Sequence, residues 1–299
     1  MTKSFRGPDF ILGGPPKSGS TALAYALNQH PQVGIPPQDL SFWSLHGARQ
    51  TFVKQHYSAL TDGEAYQKAH APFESLRYRG ERATSLLYRP WVPRVLQNLR
   101  RYHPRPDDLQ LVFVLRSPLE RLYSQYLYNQ QFAERLSLEE ALAAWPRRKA
   151  AHWLPAYDYL GASFYSEALK LYQEAFGQRV GIFFMEDWRE RPAAFLQELQ
   201  SFLNLPVYHF RGADYKSRNP SLVPRNGRWS TILRRPWRLF LRPLLPAYAR
   251  ERMSAAFKSR FYHKPLLPAS QRAGISSYFV EEIEALEALT HKDLSHWKH

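Results

Sequence analysis

The sequence predicts an α/β fold: three layers, with a central parallel β-sheet flanked by helices. Three observations carry that expectation. Short apolar runs of strand length alternate with amphipathic stretches of helical period along most of the chain. Leu111 to Leu115 is continuously apolar, as in a strand buried on both faces of a parallel sheet. Residues Phe10 to Leu27, FILGGPPKSGSTALAYAL, run from an apolar segment through a Gly- and Pro-bearing turn into the start of a helix. Strands are predicted near 9–13, 32–35, 79–84, 110–115 and 179–184. Helices are predicted near 20–30, 48–60, 91–101, 118–131, 137–146, 164–176, 191–203 and 270–291. Strands separated by helices imply right-handed parallel crossovers, with a ligand held at the C-terminal ends of the strands.

The first strand, loop and helix form an anion cradle, because free backbone N–H groups and the positive end of the helix dipole converge there. Gly14 and Gly19 keep the spacing of the nucleotide-binding loop G-x-x-x-x-G-K-[ST], which makes the expected fold P-loop-like. Ser20, however, stands where the lysine of that loop belongs, and Lys17 lies upstream in the bend. Lys17, Ser18, Gly19, Ser20 and Thr21 are the candidate anion ligands. The alternative for this stretch is a plain loop and helix cap.

The block Leu109 to Asn129, LQLVFVLRSPLERLYSQYLYN, supplies the second candidate group. Arg116 ends the strand, and no acidic residue follows where an NTPase would hold magnesium. Ser117-Pro118-Leu119-Glu120 reads as a capping box with proline at the first helical position. Apolar residues at 119, 122, 123, 126 and 127 give the helix a core-facing side. Ser124 follows Ser117 by about two turns on nearly the same face. An arginine leaving a strand and a serine on the next helix can grip one phosphate from two sides. Taken singly, Arg116 could equally be an ion-pair partner and Ser124 a surface residue.

PKSGSTAL together with LRSPLERLYSQY resembles the paired signatures of the PAPS-dependent sulfotransferases, in the style of the heparan-sulfate-type and bacterial enzymes. The resemblance implies that Lys17 to Thr21 contact the 5′-phosphosulfate and that Arg116 and Ser124 bind the 3′-phosphate. Residues 80–88, GERATSLLY, resemble the family segment G-E-K-S-P-S-Y-L-Y. Residues 161–203 and the segment from Tyr278-Phe279 to Trp297 resemble its later helix, strand and helix and its C-terminal helix. The glycan-type enzymes carry a glutamate as acceptor base in K-E-x-x-F-F. This chain reads Gln38-Asp39-Leu40-Ser41-Phe42-Trp43, so Asp39 takes that place, one methylene shorter, with His46 the nearest substitute. Arg82 replaces the family lysine, against the alternative of a salt bridge to neighbouring Glu81, and Ala83, Thr84 and Leu86 also depart. The implied reaction is metal-independent in-line transfer of a sulfuryl group from PAPS to a hydroxyl or amine, leaving PAP. Lys17, Asp39 and Arg82 are its candidate catalytic residues. The acceptor class implied is a carbohydrate or small metabolite.

The 299 residues, without linker or repeat, read as a single domain, with a donor-binding core at about 8–205 and a basic region plus C-terminal helix at about 206–299. No cysteine is present, so a disulfide framework is excluded. The histidines show no H-x-x-x-H pair, and no metal site is expected. Met1 to Asp9 is polar and no apolar stretch is long enough to span a bilayer, so a soluble, cytoplasmic enzyme is the expectation. The net charge of +15 concentrates in Arg225 to Arg260, where Arg234, Arg235, Arg238 and Arg242 interleave with Trp229, Trp237 and Phe240. That stretch reads either as a surface for an acidic glycan, an anionic membrane or nucleic acid, or as a solvated helical face. Asn219, Ser221 and Arg225 read as a loop able to close over the nucleotide. Two rival functions remain: a magnesium-dependent P-loop kinase, and a non-enzymatic binder of anionic polymers or membranes.

Overall fold

The computed structural model describes residues 5–48, 61–211, 223–224, 262–263 and 265–298. Strands β1 (Phe10–Gly13), β2 (Val33–Gly34), β3 (Tyr78–Arg82), β4 (Gln110–Leu115) and β5 (Val180–Phe184) form one sheet in the order β2-β3-β1-β4-β5. Every pairing in it is parallel. Phe10 lies opposite Gly80 on one side and Gln110 on the other, and Leu115 lies opposite Phe184. The chain runs from β1 to the edge strand β2, fills the gap with β3, then crosses to place β4 on the other side of β1. The strand order therefore reverses beside β1 and β4, where open α/β sheets bind their ligands.

Alternation along the central strands builds the three layers. Ile11, Leu111, Phe113 and Leu115 join one apolar core, with helices α4 (Val92–Tyr102), α5 (Pro118–Asn129) and α8 (Ser166–Phe176). Phe10, Leu12, Val112 and Val114 face the opposite way, into a second core with α1 (Ser20–Leu27) and α10 (Pro192–Phe202). The P-loop-like α/β architecture expected from the sequence is the one observed.

Several elements differ from their expected bounds. Helices α2 (Phe42–Leu45), α3 (Gly63–His70) and α9 (Met185–Glu190) were not anticipated, since each is too short to show a clear helical period. The stretch 137–146 is two helices, α6 (Leu138–Ala143) and α7 (Trp145–Ala150), because Pro146 can sit only in the first turn of a new helix. A capping box opens α6: Ser137 Oγ accepts from the Glu140 amide (3.3 Å), and Glu140 accepts from the Ser137 amide (2.8 Å). The helix expected at 48–60 falls mostly outside the described residues.

The C-terminal helix is also two, α11 (Ala269–Ser276) and α12 (Val280–Thr290), separated by a 3₁₀ turn at Ser277–Phe279. It packs into the sheet core through Phe279, Ile283 and Leu286. Glu282 caps α8 from across the fold, accepting from the amides of Tyr165 (2.6 Å) and Ser166 (2.8 Å) and from Ser166 Oγ (2.7 Å). A short antiparallel ladder joins β6 (Val223–Pro224) to β7 (Tyr262–His263). The basic stretch between them, with Asn219, Ser221 and Arg225, lies outside the described residues. No helix among the described residues is long and apolar enough to cross a membrane.

Candidate active site

The loop after β1 owes its shape to residues that tolerate left-handed backbone. Gly14 has φ +113°, and a Cβ there would come within 2.6 Å of the Val114 carbonyl oxygen, so β1 and β4 stay close only with glycine. Lys17 has φ 77° and Gly19, which precedes α1, φ 81°. No side chain caps the N-terminus of α1. Its first N–H groups therefore face the loop, at the positive end of the helix. Ser18 is 1% exposed, and its Oγ makes no hydrogen bond among the described residues. A buried hydroxyl without a partner beside an uncapped helix start suits an anionic group.

Gly19 also lies against the end of β5, where a Cβ would meet Met185 Sδ at 2.5 Å. Gly19→Ala combines that clash with a left-handed conformation that costs a non-glycine residue about 1–3 kcal/mol. Scanning calorimetry is expected to show a Tm lowered by several degrees.

Lys17 reaches back over α5, with Nζ 4.3 Å from the centroid of the Tyr128 ring. Burial, and secondarily the positive charge of Arg116, push its ammonium pKa down to about 8. Arg116, 5% exposed, donates from Nη1 to the Lys17 carbonyl oxygen (3.1 Å) and from Nη2 to Glu120 Oε2 (2.8 Å). Its Nε makes no hydrogen bond among the described residues. Burial works against the guanidinium charge and the Glu120 carboxylate supports it. Glu120 also pairs with Arg272 of α11 (3.4 Å). Glu120 is thus engaged by cations, and the capping box expected at Ser117 does not form, as Ser117 makes no side-chain cap. Ser124 is buried on α5.

Arg82, at the end of β3, donates from Nη1 to Thr21 Oγ1 (2.7 Å) and from Nη2 to the Pro37 carbonyl (3.0 Å). Strand alternation sends Glu81 the other way, so the two do not pair. Glu81, 0% exposed, accepts from Trp43 Nε1 (3.0 Å) and from the Tyr66 hydroxyl. Asp39 accepts four hydrogen bonds: Oδ1 from the amide and hydroxyl of Ser41 (3.1 and 3.0 Å), Oδ2 from those of Thr84 (2.9 and 2.6 Å). Arg82 feels its negative charge. His46 turns elsewhere: its ring stacks on Phe42 at 4.7 Å and Nδ1 lies 2.6 Å from the Thr61 carbonyl oxygen.

Lys17, Thr21, Asp39, Arg82 and Arg116 therefore form one connected group. Arg116 holds the backbone of Lys17, Arg82 joins Thr21 to the Pro37 turn, and Asp39 closes that turn against Thr84. Sequence reasoning missed Thr84, Tyr128 and Met185. Thr84 appeared only as a departure from the segment 80–88, and the other two have no local signature.

A model of the sulfotransferase domain matches residues 7–220. The membrane-associated sulfotransferase kil1 of Dictyostelium discoideum is 30% identical over 132 residues, which are 43% of this chain and 24% of that protein. The chain thus matches about a quarter of the length of that relative. A sulfotransferase from Alicyclobacillus acidocaldarius has a similar structure, with a TM-score of 0.72 at 22% identity, over 98% of this chain and 99% of the other. That second likeness is one of fold. With well over half of its residues matched by the domain model, this chain belongs to the sulfotransferase family.

Proposed function

We propose that the protein moves the sulfuryl group of PAPS to an acceptor hydroxyl. The observation that carries this reading is the half-buried Lys17 ammonium in the bend of the loop, beside the unpartnered Ser18 hydroxyl and the uncapped start of α1. This group would hold the 5′-phosphosulfate, and Arg116 with Ser124 the 3′-phosphate. Lys17 and the α1 N–H groups stabilise charge that builds on the leaving phosphate as the sulfur–oxygen bond breaks. As in phosphoryl transfer, positioning and electrostatics supply most of the catalysis. Arg82, tied to Thr21, sits where the loop meets the acceptor side. Asp39 serves as the base.

The test is transfer of label from [³⁵S]PAPS, in EDTA, to a panel of glycans, glycolipids, small alcohols and amines. Label on an acceptor supports the reading. Transfer from [γ-³²P]ATP with magnesium, and none from PAPS, would replace it with a kinase.

Asp39 carries a further expectation. Its four donors fill the lone-pair sites of both oxygens and brace the Ser41 and Thr84 backbones. The site is therefore fitted to the shorter side chain. Asp39→Glu is expected to overshoot and lose about a hundredfold in turnover, and Asp39→Asn at least as much, both with near-native PAP affinity. Undiminished turnover in both variants would place the base elsewhere.

A further inference from the structure

We infer that Glu81 is a positioning residue for Asp39: through Trp43 it clamps the strained turn that carries the proposed base. It rests on the reading of Asp39 as the base of sulfuryl transfer and names what holds that base in place.

Residues 37–44 are laced to residues 81–85 along their length. Arg82 Nη2 donates to the Pro37 carbonyl (3.0 Å), and the amide and hydroxyl of Thr84 donate to Asp39 Oδ2. Trp43 Nε1 donates to Glu81 Oε2 (3.0 Å), and Ser44 Oγ meets Ser85 Oγ at 2.7 Å. Glu81 and Arg82 are neighbours on β3 with side chains on opposite faces, so one strand holds both ends of the segment. Between those ends lies Ser41, whose φ of 50° is left-handed. A residue with a Cβ keeps that conformation only where the surrounding contacts over-determine it. Ser41 is also the residue whose amide and hydroxyl hold Asp39 Oδ1 (3.1 and 3.0 Å). Relaxation of this turn would release both of those donors and free the carboxylate to turn.

The surroundings of Glu81 argue against a mere filler of the core. It is 0% exposed, and among the described residues no lysine or arginine lies within ion-pair distance of it. The one basic side chain at hand is His70, with Nε2 3.6 Å from Oε2. Burial of a carboxylate without a cation is costly, and an apolar side chain would fill the same space at less cost. What the carboxylate adds is an acceptor on which two buried donors converge. Trp43 Nε1 and the Tyr66 hydroxyl both donate to Oε2, while Oε1 makes no hydrogen bond among the described residues. Burial, and next the Glu81 charge, raise the Tyr66 pKa well above its usual value, so that hydroxyl stays a donor. Trp43 transmits the hold. Its ring meets those of Phe42 and Tyr66 edge to face, at 5.1 and 5.4 Å, and Asn98 Nδ2 donates to its carbonyl (2.9 Å). With indole and backbone both fixed just after Ser41, the turn has no slack in which to relax.

The experiment follows amide hydrogen exchange by NMR at Ser41 and Thr84, the two amides that donate to Asp39. It compares the wild type with Glu81→Leu, Trp43→Phe and Glu81→Gln, and PAP affinity is titrated in parallel. Glu81→Leu and Trp43→Phe are expected to exchange at least about tenfold faster at both amides, while the amides of β1 and β4 keep their protection. Glutamine keeps an oxygen where the two donors converge, so Glu81→Gln should stay within about threefold of the wild type. PAP affinity should be near native in all three, because the donor loop is untouched. Turnover, read with the acceptor that takes most label in the PAPS panel, should fall about ten- to a hundredfold in Glu81→Leu and Trp43→Phe and largely return in Glu81→Gln. Unchanged exchange at Ser41 and Thr84 in Glu81→Leu would overturn the clamp. So would protection lost evenly over β1 and β4, or PAP affinity falling together with turnover, since either marks a general loss of structure. Should Glu81→Leu fail to fold, Trp43→Phe keeps an aromatic ring in place and decides by the same outcomes. Glu81→Gln as impaired as Glu81→Leu would overturn the hydrogen-bonded clamp in favour of the charge. If PAP does not bind and no acceptor takes label, the sulfuryl reading falls, and exchange at Ser41 and Thr84 still decides whether Glu81 holds the turn.

Discussion

Lys17→Met is expected to lower turnover about a thousandfold while weakening PAP only several-fold. Methionine keeps the apolar stem and removes the charge that lies over Tyr128. The charge is most useful where the leaving phosphate gains electrons, so its loss acts mainly on the transition state. Comparable losses in turnover and in PAP affinity would instead assign Lys17 to ground-state binding. The pH dependence carries a second check. The ammonium pKa of about 8 belongs to the free protein, where burial and Arg116 oppose the charge. A bound anion favours the charged form and raises that pKa, so PAP binding takes up protons at and just above pH 8. Affinity accordingly declines as pH rises through about 8. Titration calorimetry in buffers of different ionisation heat should reveal the uptake in the wild type and none from this source in Lys17→Met.

The residues proposed for the donor side could be picked out because they are local. Lys17 to Thr21 lie on one continuous turn, and Arg116 and Ser124 on one strand end and the helix that follows it. Period and punctuation specify such places, and the continuous apolar run Leu111 to Leu115 marked a strand buried on both faces, which β4 is. The acceptor side proposed around Asp39 was legible only in part, because it joins residues 37–41 to residues 82–84, which no spacing connects. Asp39 could be picked out by resemblance, yet its four donors come from two different segments, one of them more than forty residues away. The same limit explains the capping box read at Ser117. The local pattern was right for Glu120 to cap the helix, but the buried Arg116 guanidinium takes that carboxylate instead. The charge of the stretch 225–260 is plain in composition, and composition says nothing about what it faces.

Arg116→Ala is expected to weaken PAP at least about a hundredfold, as the loss of a buried, hydrogen-bonded cation facing a phosphate usually does. Two effects would contribute. The guanidinium charge would be lost from the 3′-phosphate, and the Lys17 carbonyl would lose the donor that holds the loop in place. Arg116→Lys keeps a charge but not the planar fork that serves Glu120, the loop and an anion together. It should therefore recover only part of the affinity. Glu120→Gln supplies the opposite sign. The Glu120 carboxylate occupies Nη2 at 2.8 Å, so it competes with a phosphate for the same guanidinium. Removing its charge should tighten PAP several-fold, most clearly at low salt, where the pair is least screened. Adenosine 5′-phosphosulfate, which lacks the 3′-phosphate, should not share that gain. Wild-type PAP affinity in Arg116→Ala, measured by calorimetric titration, would overturn the assignment of Arg116 to the 3′-phosphate, and an unchanged affinity in Glu120→Gln would place the phosphate away from Nη2.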